Sequence, residues 1–581
     1  MPHEDLNVMV AGQGGDGSLT LVNLFADLLG SRGYHLYLAR NVGSRIKGGH
    51  AAGYLRASTV HRGCLGDNWD LLIAFDAEAL EQGAPYLYEE SVVVYDSSDG
   101  PAPRDALPAG ATLLEVPFGR LAVRDLRRDL YKNSLAFAVA TRAVWVVGEH
   151  AEDTLRRSLA RLPVELVEAN VRAFREGLEY ANDVQVAAWR LADGSPDGRL
   201  LISGNYALSF GFLAAGGRFY AGYPITPASE ILDWLTRRLP EFCGIAVQAE
   251  DELAAINMAL GAAMTGTRAM TASSGPGIAL MQEGIGHIGS AEIGVVVVDC
   301  QRAGPSTGMP TKPEQSDVGM LVHGANGDIP RIVLAPGDPT DAFHLAVLAT
   351  NLAERYQGPV FLALDQVISQ DAATVPPFDL DSVEIDRGAM VTAETLELLG
   401  EYRRYALNGD GSGISPWEPA GTKGGQSLVT GNERDEWGKV TTRPDVRVQM
   451  MEKRLRKIEA VRDDLPRGRR FGDSTAEIAL LGFGMETGPM VEAADRLTAS
   501  GLPTQVLQQR TLWPVLEDVA ELADSCRRLY VVEHNATAQY TRVLAETGIQ
   551  AESILRYDGL PFRPGELAAA VLEREAAWAS L

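Results

Sequence analysis

Four short segments between residues 223 and 308 combine hydroxyl, carboxylate and guanidinium side chains with glycine and proline. They are Y-P-I-T-P at 223–227, E-D-E at 250–252, T-A-S-S-G-P-G at 271–277 and D-C-Q-R-A-G-P-S-T-G at 299–308. Side chains of these types can bind an oxyanion, transfer a proton or pair with a carboxylate. Four such segments in one region are not explained as helix caps alone.

Each candidate residue also has a structural interpretation. The Thr226 hydroxyl precedes a predicted helix, where it could face an anion or act as an N-cap. Glu250 and Glu252 open an Ala- and Gly-rich helix, either as proton-transfer groups or as partners of the helix dipole. Arg302 follows a very apolar strand, and its planar guanidinium suits a carboxylate.

All four segments follow predicted strands of one region. Apolar runs separated by helical stretches predict a parallel sheet with helices on both faces. Ligands of such sheets bind at the carboxyl ends of the strands, which is where the four segments lie. The predicted strands are 218–221, 245–248, 268–271, 293–299, 331–334 and 360–364.

The whole chain is predicted to be an α/β protein with three α/β domains and mainly parallel sheets. The first domain spans 1–190 and the second 200–375. Residues 376–470 form an irregular connection, rich in Pro and Gly, that wraps a neighbour and ends in a charged amphipathic helix from about 446 to 464. A third domain spans 471–581.

Composition excludes several classes of function. The 581 residues carry a net charge of −25, which argues against binding nucleic acid or an anionic membrane. No apolar run reaches the length of a membrane span and no signal peptide is visible, so a cytoplasmic location is expected. The four cysteines are Cys64, Cys243, Cys300 and Cys526; they are far apart, which argues against disulfides or a cluster bound by this chain alone. No metal site is predicted in the chain.

Two further glycine-rich motifs lie outside this region of the chain. G-Q-G-G-D-G at 12–17 matches a dinucleotide fingerprint within a predicted strand–loop–helix–strand unit, but no acid occurs between Asp27 and Asp67 to hold a ribose, although Arg40 could serve NADP. A tight turn with close helix–strand packing is favoured. The basic patch from Arg45 to His50 is either an anion contact or a solvated loop. G-D-G at 409–411 with Asn432 imitates a Mg²⁺–diphosphate element but lacks a preceding strand, and is read as linker.

The four segments together resemble the α subunit of 2-oxoacid:ferredoxin oxidoreductases. The similarity rests on G-x-x-A from 204, Y-P-I-T-P, E-D-E-x-A-A, T-A-S-S-G-P-G and Q-R-x-G-P-S-T-G-x-P-T. It is greatest to the 2-oxoglutarate type, in which a γ-type domain is fused ahead of the α part. The resemblance implies a γ-type domain, a thiamine pyrimidine-side domain and a transketolase C-terminal-like domain. Two places depart from the family pattern: Arg434 stands where His is usual, and Asn326-Gly327-Asp328 follows His323-Gly324.

The resemblance also implies roles for individual residues. Glu252, with Glu250 as the fallback, would hydrogen-bond the thiamine aminopyrimidine and so promote deprotonation of the thiazolium carbon. Thr226 would meet the substrate, and Arg302 would pair with its carboxylate. The remaining cofactor contacts would come from Tyr223, Pro224, Ile225, Ser274 and Gly275.

The implied activity is CoA-dependent oxidative decarboxylation of 2-oxoglutarate to succinyl-CoA and CO₂, or the reverse, with electrons passed to ferredoxin. Thiamine diphosphate would be shared with a β subunit that carries Mg²⁺ and a [4Fe-4S] cluster, as an (αβ)₂ assembly. The same chemistry on pyruvate or branched-chain 2-oxoacids is the alternative. An NAD(P)-dependent dehydrogenase and a non-catalytic scaffold are weaker readings.

Overall fold

The computed structural model describes residues 3–42, 49–126, 131–144, 148–183, 191–407 and 410–580. The chain divides into two compact units. One comprises residues 1–202 and 371–377, and the other comprises 203–370 and 378–581. The boundary predicted at residue 375 therefore falls inside a segment of the first unit, and the other domain boundaries stay predictions.

The first unit is built on one mixed sheet. Its strands are β1 (Asp5–Gln13), β2 (His35–Val42), β3 (His50–Ser58), β4 (Leu71–Ala74), β5 (Val92–Asp96), β6 (Thr112–Val116), β7 (Leu200–Ser203) and β14 (Ala372–Val375), in the order β6-β5-β4-β1-β3-β2-β14-β7. Its helices are α1 (Ser18–Ser31), α2 (Ala77–Gly83), α3 (Phe118–Leu126), α4 (Lys132–Ala143), α5 (Gly148–Ser158) and α6 (Val164–Asp183), with 3₁₀ turns at Ala84–Tyr86 and Arg104–Ala106.

The N-terminal strand–loop–helix–strand unit is present, but its two strands are not neighbours. β3 lies between β1 and β2 and pairs antiparallel with both, whereas β1, β4, β5 and β6 are parallel. A dinucleotide fold requires the two strands of this unit to lie side by side and parallel. The sequence could not reveal the inserted strand, because β3 comes after the unit in the chain.

The glycine loop itself forms a tight turn that is held by other parts of the same unit. Gly14 N–H donates to the Gly49 carbonyl at 3.0 Å, and Gly17 has a φ of 85° that suits glycine. Asp16 accepts from Gln13 N–H at 3.1 Å and pairs with Lys132 Nζ at 2.7 Å. The loop therefore carries a carboxylate that is paired with a lysine of the same unit.

Other parts of the dinucleotide hypothesis find no support in the geometry. Arg40 donates to Asn23 Oδ1 at 3.3 Å, which ties it to helix α1. The patch residues Arg45 and Lys47 lie outside the described residues.

The second unit contains two sheets. The strands of the larger one are β8 (Phe219–Gly222), β9 (Ile245–Gln248), β10 (Ala269–Ser273), β11 (Val295–Gln301), β12 (Ile332–Leu334), β13 (Pro359–Asp365) and β18 (Thr511–Trp513), in the order β18-β12-β13-β11-β10-β8-β9. The associated helices are α7 (Gly204–Ala214), α8 (Ser229–Arg238), α9 (Glu252–Met264), α10 (Gly275–Leu280), α11 (Gln282–Ala291), α12 (Val318–His323), α13 (Pro339–Tyr356) and α14 (Gln366–Gln370), with a 3₁₀ turn at Leu239–Phe242.

The strands from β8 to β13 in this sheet are parallel, as predicted. The central strand β11 reads V-V-V-V-D-C-Q and is buried along its full length. A near-continuous run of β-branched residues is the expected composition of a strand covered on both faces. Asp299 is the charged residue of this buried strand.

The smaller sheet is formed by the C-terminal region. Its strands are β15 (Arg469–Phe471), β16 (Ile478–Gly482), β17 (Thr504–Gln508), β19 (Arg528–Glu533) and β20 (Glu552–Leu555), in the order β15-β17-β16-β19-β20. The helices are α17 (Thr487–Ala499), α18 (Glu517–Ser525), α19 (Gln539–Glu546) and α20 (Pro564–Ala579), with a 3₁₀ turn at Gly484–Glu486. Strand β18 leaves this region and pairs antiparallel with β12 of the larger sheet.

The connection between the two sheets is irregular, as predicted, and packs against the larger-sheet region. It contains helices α15 (Ala393–Leu399), which was not predicted, and α16 (Pro444–Ala460), followed by a 3₁₀ turn at Arg462–Asp464. Arg434 is buried and donates to the Ser290 carbonyl and hydroxyl, both at 2.8 Å, with its guanidinium 5.0 Å from the centre of the Tyr405 ring. Arg434 therefore anchors the connection to α11.

The apolar residues of the charged helix α16 and its C-terminal end do not form one buried face. Met450 and Val461 are buried, but Leu455 is exposed, whereas Lys453 and Lys457 are fully buried. Within the described ranges, no helix is both long and apolar enough to cross a bilayer.

Candidate active site

Four neighbouring strands bring the predicted site residues to one edge of the larger sheet. The order β9-β8-β10-β11 places the loops that follow these parallel strands side by side. Each loop leads from a strand into a helix or an extended loop that carries polar side chains. The structure therefore groups the four segments as the strand-end rule predicts.

Glu252 is the first residue of α9 and is buried. The preceding residue, Asp251, is the N-cap and accepts from Ala254 N–H at 2.7 Å, which fixes the start of the helix. Glu252 is 6% exposed and accepts a hydrogen bond from the Ser273 hydroxyl at 3.3 Å. Glu250 is exposed. Of the two candidate acids, the one at 252 is held inside the protein.

Helix α10 approaches this carboxylate through a residue without a side chain. A methyl group on Gly277 would lie 2.6 Å from Glu252 Oε1 and 1.9 Å from Ser273 Oγ. Any larger residue would therefore displace the Glu252–Ser273 pair. The glycines of T-A-S-S-G-P-G thus let the backbone of α10 pack directly on the acid.

The Y-P-I-T-P loop lies between β8 and α8 and is held from both sides. Thr226 is half-buried and is followed by a cis peptide bond to Pro227. The Arg302 guanidinium donates to the Thr226 carbonyl at 2.7 Å, and Asn205 Nδ2 donates to the Pro227 carbonyl at 3.0 Å. Thr226 and Arg302 therefore belong to one hydrogen-bonded group. Asn205 is not among the site residues predicted from the sequence.

The other predicted cofactor contacts differ in exposure. Tyr223 and Pro224 are exposed and Ile225 is half-buried, whereas Ser274 and Gly275 are buried at the start of α10. The Ser274 hydroxyl has no hydrogen-bond partner among the described residues. An unsatisfied buried hydroxyl beside the two glycines is a feature that a ligand would complete.

Arg302 is 7% exposed and is only partly satisfied. Its Nε has no acceptor within the described part of the chain. Burial lowers the pKa of the guanidinium, and the field of Asp317 opposes that shift. The group is held near an acid without a direct ion pair, which leaves its fork available to an incoming carboxylate.

Two acids missed by the sequence analysis lie in this region. Asp299 is fully buried in β11 directly beside Ser273 of β10, and neither of its carboxyl oxygens has a partner among the described residues. Burial raises the pKa of Asp299 well above its usual range, with a smaller contribution from Asp317. Burial, together with the field of Glu314, raises the pKa of Asp317 to about 7. For Asp299 the available signal was a charged residue directly after a run of four valines.

The loop that carries Asp317 is attached to the smaller sheet through Gln315. Its backbone N–H donates to the His534 carbonyl at 2.7 Å, and its side chain donates to Asp365 Oδ2 at 3.1 Å and to the Phe483 carbonyl at 3.0 Å. Burial raises the pKa of Asp365 to about 6. The C-terminal region therefore fixes the position of a loop that belongs to the candidate site.

Metal-binding chemistry has no counterpart in the described residues. Across those ranges, no three His, Cys, Asp or Glu side chains converge as a metal site requires. Gly411 and Asn432, from the rejected diphosphate motif, lie in irregular backbone, and Gly409 is outside the described residues.

Family models match two parts of the chain. Residues 211–453 match the thiamine diphosphate-binding domain of pyruvate flavodoxin/ferredoxin oxidoreductases. Residues 7–180 match the pyruvate ferredoxin/flavodoxin oxidoreductase domain. The first match includes all four segments of the candidate site.

One relative and a solved structure match almost the whole chain, and a second relative matches part of it. A 2-oxoacid:ferredoxin oxidoreductase subunit alpha from Sulfolobus sp is 31% identical, covering 98% of this chain and 96% of its own. The 2-oxoglutarate synthase subunit KorA of Methanothermobacter marburgensis is 33% identical over 63% of this chain and 96% of its own.

The solved structure is 2-oxoglutarate:ferredoxin oxidoreductase from Magnetococcus marinus with 2-oxoglutarate, coenzyme A and succinyl-CoA bound. It superimposes with a TM-score of 0.93 at 33% identity, covering 98% of this chain and 99% of that chain. With the site geometry, these matches establish that the chain belongs to the α subunits of the 2-oxoacid:ferredoxin oxidoreductase family.

Proposed function

We propose that this chain is the α subunit, with a fused γ-type domain, of a thiamine diphosphate-dependent 2-oxoglutarate:ferredoxin oxidoreductase. The reaction converts 2-oxoglutarate and CoA to succinyl-CoA and CO₂, or runs in reverse, and passes two electrons to ferredoxin. The observation that carries the proposal is the convergence of Glu252, Thr226 and Arg302 at one sheet edge. The full-length similarity to the Magnetococcus marinus enzyme supports 2-oxoglutarate as the substrate.

The residues present fit the pyrimidine half of thiamine diphosphate. Glu252 offers a buried carboxylate and Ser274 offers an unsatisfied hydroxyl, and Gly277 lets the backbone of α10 pack directly against the Glu252 carboxyl. Tyr223, Pro224 and Ile225 would complete the contacts from the neighbouring loop. When bound, the cofactor supplies the carbon nucleophile and accepts the electrons released by decarboxylation.

Each side chain then has a defined task. Glu252 holds a proton between its carboxylate and the pyrimidine ring nitrogen, as a general acid–base group. The Thr226 hydroxyl donates to the substrate, and Arg302 pairs with a substrate carboxylate through its free guanidinium edge. The linkage between Arg302 and the Thr226 carbonyl keeps these two groups in register.

A β subunit is proposed to complete the enzyme as an (αβ)₂ assembly. It would supply Mg²⁺, the diphosphate contacts and the [4Fe-4S] cluster, whereas this chain supplies the pyrimidine and substrate contacts. The Sulfolobus relative is named a subunit alpha and the KorA relative is named a synthase subunit, and both names support the existence of a partner subunit.

The test is CoA-dependent viologen reduction by this chain co-expressed with its β-type partner. The assay compares 2-oxoglutarate, pyruvate and branched-chain 2-oxoacids, without NAD(P). A strong preference for 2-oxoglutarate is expected. Preference for pyruvate or a branched-chain acid would keep the mechanism and overturn the substrate. No turnover by a complex loaded with thiamine diphosphate and cluster would overturn the proposal and favour a scaffold role.

A further inference from the structure

The acids Asp299 and Asp317 form a buried pair that the proposed mechanism does not use. Asp299 has no partner for either oxygen, and Asp317 Oδ2 likewise has none among the described residues. Neither acid forms an ion pair within the described residues, although the charge of Asp317 acts on both Asp299 and Arg302. A buried carboxyl without a counter-ion is costly, so its retention points to a role outside folding.

Asp317 lies between the start of α10 and the end of β11, the strand that leads to Arg302. A methyl group on Gly275 would lie 2.5 Å from Asp317 Oδ2, so the carboxyl lies against the first residue of α10. Asp317 is also the only charged group among the described residues with a resolved effect on the pKa of Arg302. Its backbone N–H donates to Gln301 Oε1 at 3.1 Å, which holds it beside the end of β11.

We propose that Asp317 is a positioning residue that sets how strongly Arg302 binds the substrate carboxylate. This inference rests on the proposed function of Arg302. With the Asp317 carboxyl neutral, the guanidinium is free to pair with substrate. With it ionised, the side chain competes for the guanidinium and repels the incoming carboxylate.

The charged neighbours of Asp317 fix the direction of the effect. Glu314 adds negative charge and Arg302 adds positive charge. Asp299 adds no charge while it is protonated, because its own pKa is raised well above the usual range. Helix α10 contributes the backbone of Gly275, and α19 contributes the neutral amide of Gln539, which donates to the Ser316 carbonyl at 2.6 Å. A bound substrate carboxylate adds another negative charge, so substrate binding and protonation of Asp317 favour each other.

The consequence is a pH-dependent KM for the 2-oxoacid. The pKa of Asp317 is raised to about 7, so the neutral form is present at pH 6 and declines above pH 7. KM is expected to rise on the order of tenfold between pH 6.5 and 8.5, with kcat at saturation little changed.

The experiment measures kcat and KM for 2-oxoglutarate from pH 6 to 9 in the reconstituted αβ complex. Asp317→Asn and Asp317→Ser both remove the titrating carboxyl, and each is expected to give a KM that varies less than about twofold with pH. Glu314→Gln removes a negative neighbour and should move the KM inflection to lower pH. Asp328→Asn, at an exposed loop acid, is the matched control and should follow the wild type.

The outcomes separate this inference from the proposed function. A wild-type complex that turns over 2-oxoacids but keeps the same KM profile in Asp317→Asn would overturn the role of Asp317 and leave the enzyme intact. An equal loss of kcat at every pH, with no change in profile, would show a merely structural role and would also overturn it. A loaded wild-type complex with no turnover on any 2-oxoacid would overturn both. Thiamine diphosphate content and the thermal midpoint identify a variant that does not fold, in which case the Asp317→Ser and Glu314→Gln profiles decide.

Discussion

Two buried carboxylate groups in the second unit are treated in opposite ways. Glu292 is fully buried at the end of α11, and it forms ion pairs with Lys453 at 2.5 Å and Lys457 at 2.6 Å. Asp299, in the strand that follows, is equally buried but has no cation against it. The first acid is surrounded by opposite charge and the second is not.

The electrostatic consequences follow from these surroundings. The fields of Lys453, Lys457 and Arg404 outweigh the burial of Glu292 and hold its pKa far below its usual range. Burial of Asp299 is unopposed, so its pKa rises. A buried carboxylate that is compensated by cations stabilises the fold, whereas an uncompensated one is retained where a ligand or a proton completes it.

The comparison predicts that the two regions fail differently. A substitution in the candidate site should lower the turnover rate without changing the free energy of unfolding. A substitution at Glu292 should lower the free energy of unfolding without changing the turnover rate of correctly folded molecules.

Glu252→Gln is expected to give the largest effect on rate. Loss of a positioned proton-transfer group should lower kcat for 2-oxoacid oxidation by about 10²–10⁴-fold while the α subunit still assembles with its partner. The measurement is steady-state viologen reduction beside thermal unfolding of the complex. Glu250→Gln, at the exposed acid two residues earlier, is the matched control. Near wild-type turnover in Glu252→Gln would transfer the role to Glu250.

Glu292→Gln is expected to lower the free energy of unfolding by about 3–5 kcal/mol, because it leaves Lys453 and Lys457 buried without a counter-charge. Denaturant unfolding of the complex measures this change. Glu283→Gln, at an exposed acid in the first turn of α11, should stay within about 0.5 kcal/mol of the wild type. Equal free energies of unfolding for the two variants would mean that the ion pairs of Glu292 with α16 do not stabilise the fold.

Much of the larger sheet and its site could be predicted from sequence. Apolar runs bounded by glycine corners placed the ends of β8 to β13 within two residues of their positions in the structure. The strand-end rule then grouped Thr226, Glu252 and Arg302. These signals are local, since burial on both faces of a strand dictates its composition.

The remainder depends on contacts between distant residues. Glu292 meets Lys453 across 161 positions, so the charged face of α16 gave no sign that it would be buried. Asp317 reaches Gly275 only because Gln315 attaches its loop to the C-terminal sheet. The N-terminal unit likewise needed β3, which is not part of its own motif.

Arg302→Ala should raise KM for the 2-oxoacid by about 10–100-fold with a smaller change in kcat, the range expected when a charge-assisted hydrogen bond to substrate is lost. Steady-state kinetics at pH 6.5 measures the split, because Asp317 is then largely neutral. Arg237→Ala, at an exposed arginine in the last turn of α8, is the control. An unchanged KM would remove Arg302 from the substrate site.

Lys457→Met tests how far the Glu292 group is over-compensated. Burial, assisted by Lys453 and Arg404, lowers the pKa of Lys457 to about 7, because three cations surround one carboxylate. In the unfolded chain the amine keeps its ordinary pKa near 10.5, so above pH 7 the unfolded state binds more protons than the folded state.

The sign of the pH dependence follows from that difference. The contribution of Lys457 to the free energy of unfolding should rise by roughly 1 kcal/mol between pH 7 and pH 8, and Lys457→Met should lack this rise. Denaturant unfolding at the two pH values measures it, with Lys439→Met, at an exposed lysine, as the control. A variant that follows the wild type across this range would mean that Lys457 keeps its proton. The Glu292 cluster would then hold its full positive charge, and its contrast with the uncompensated acids of the site would be sharper still.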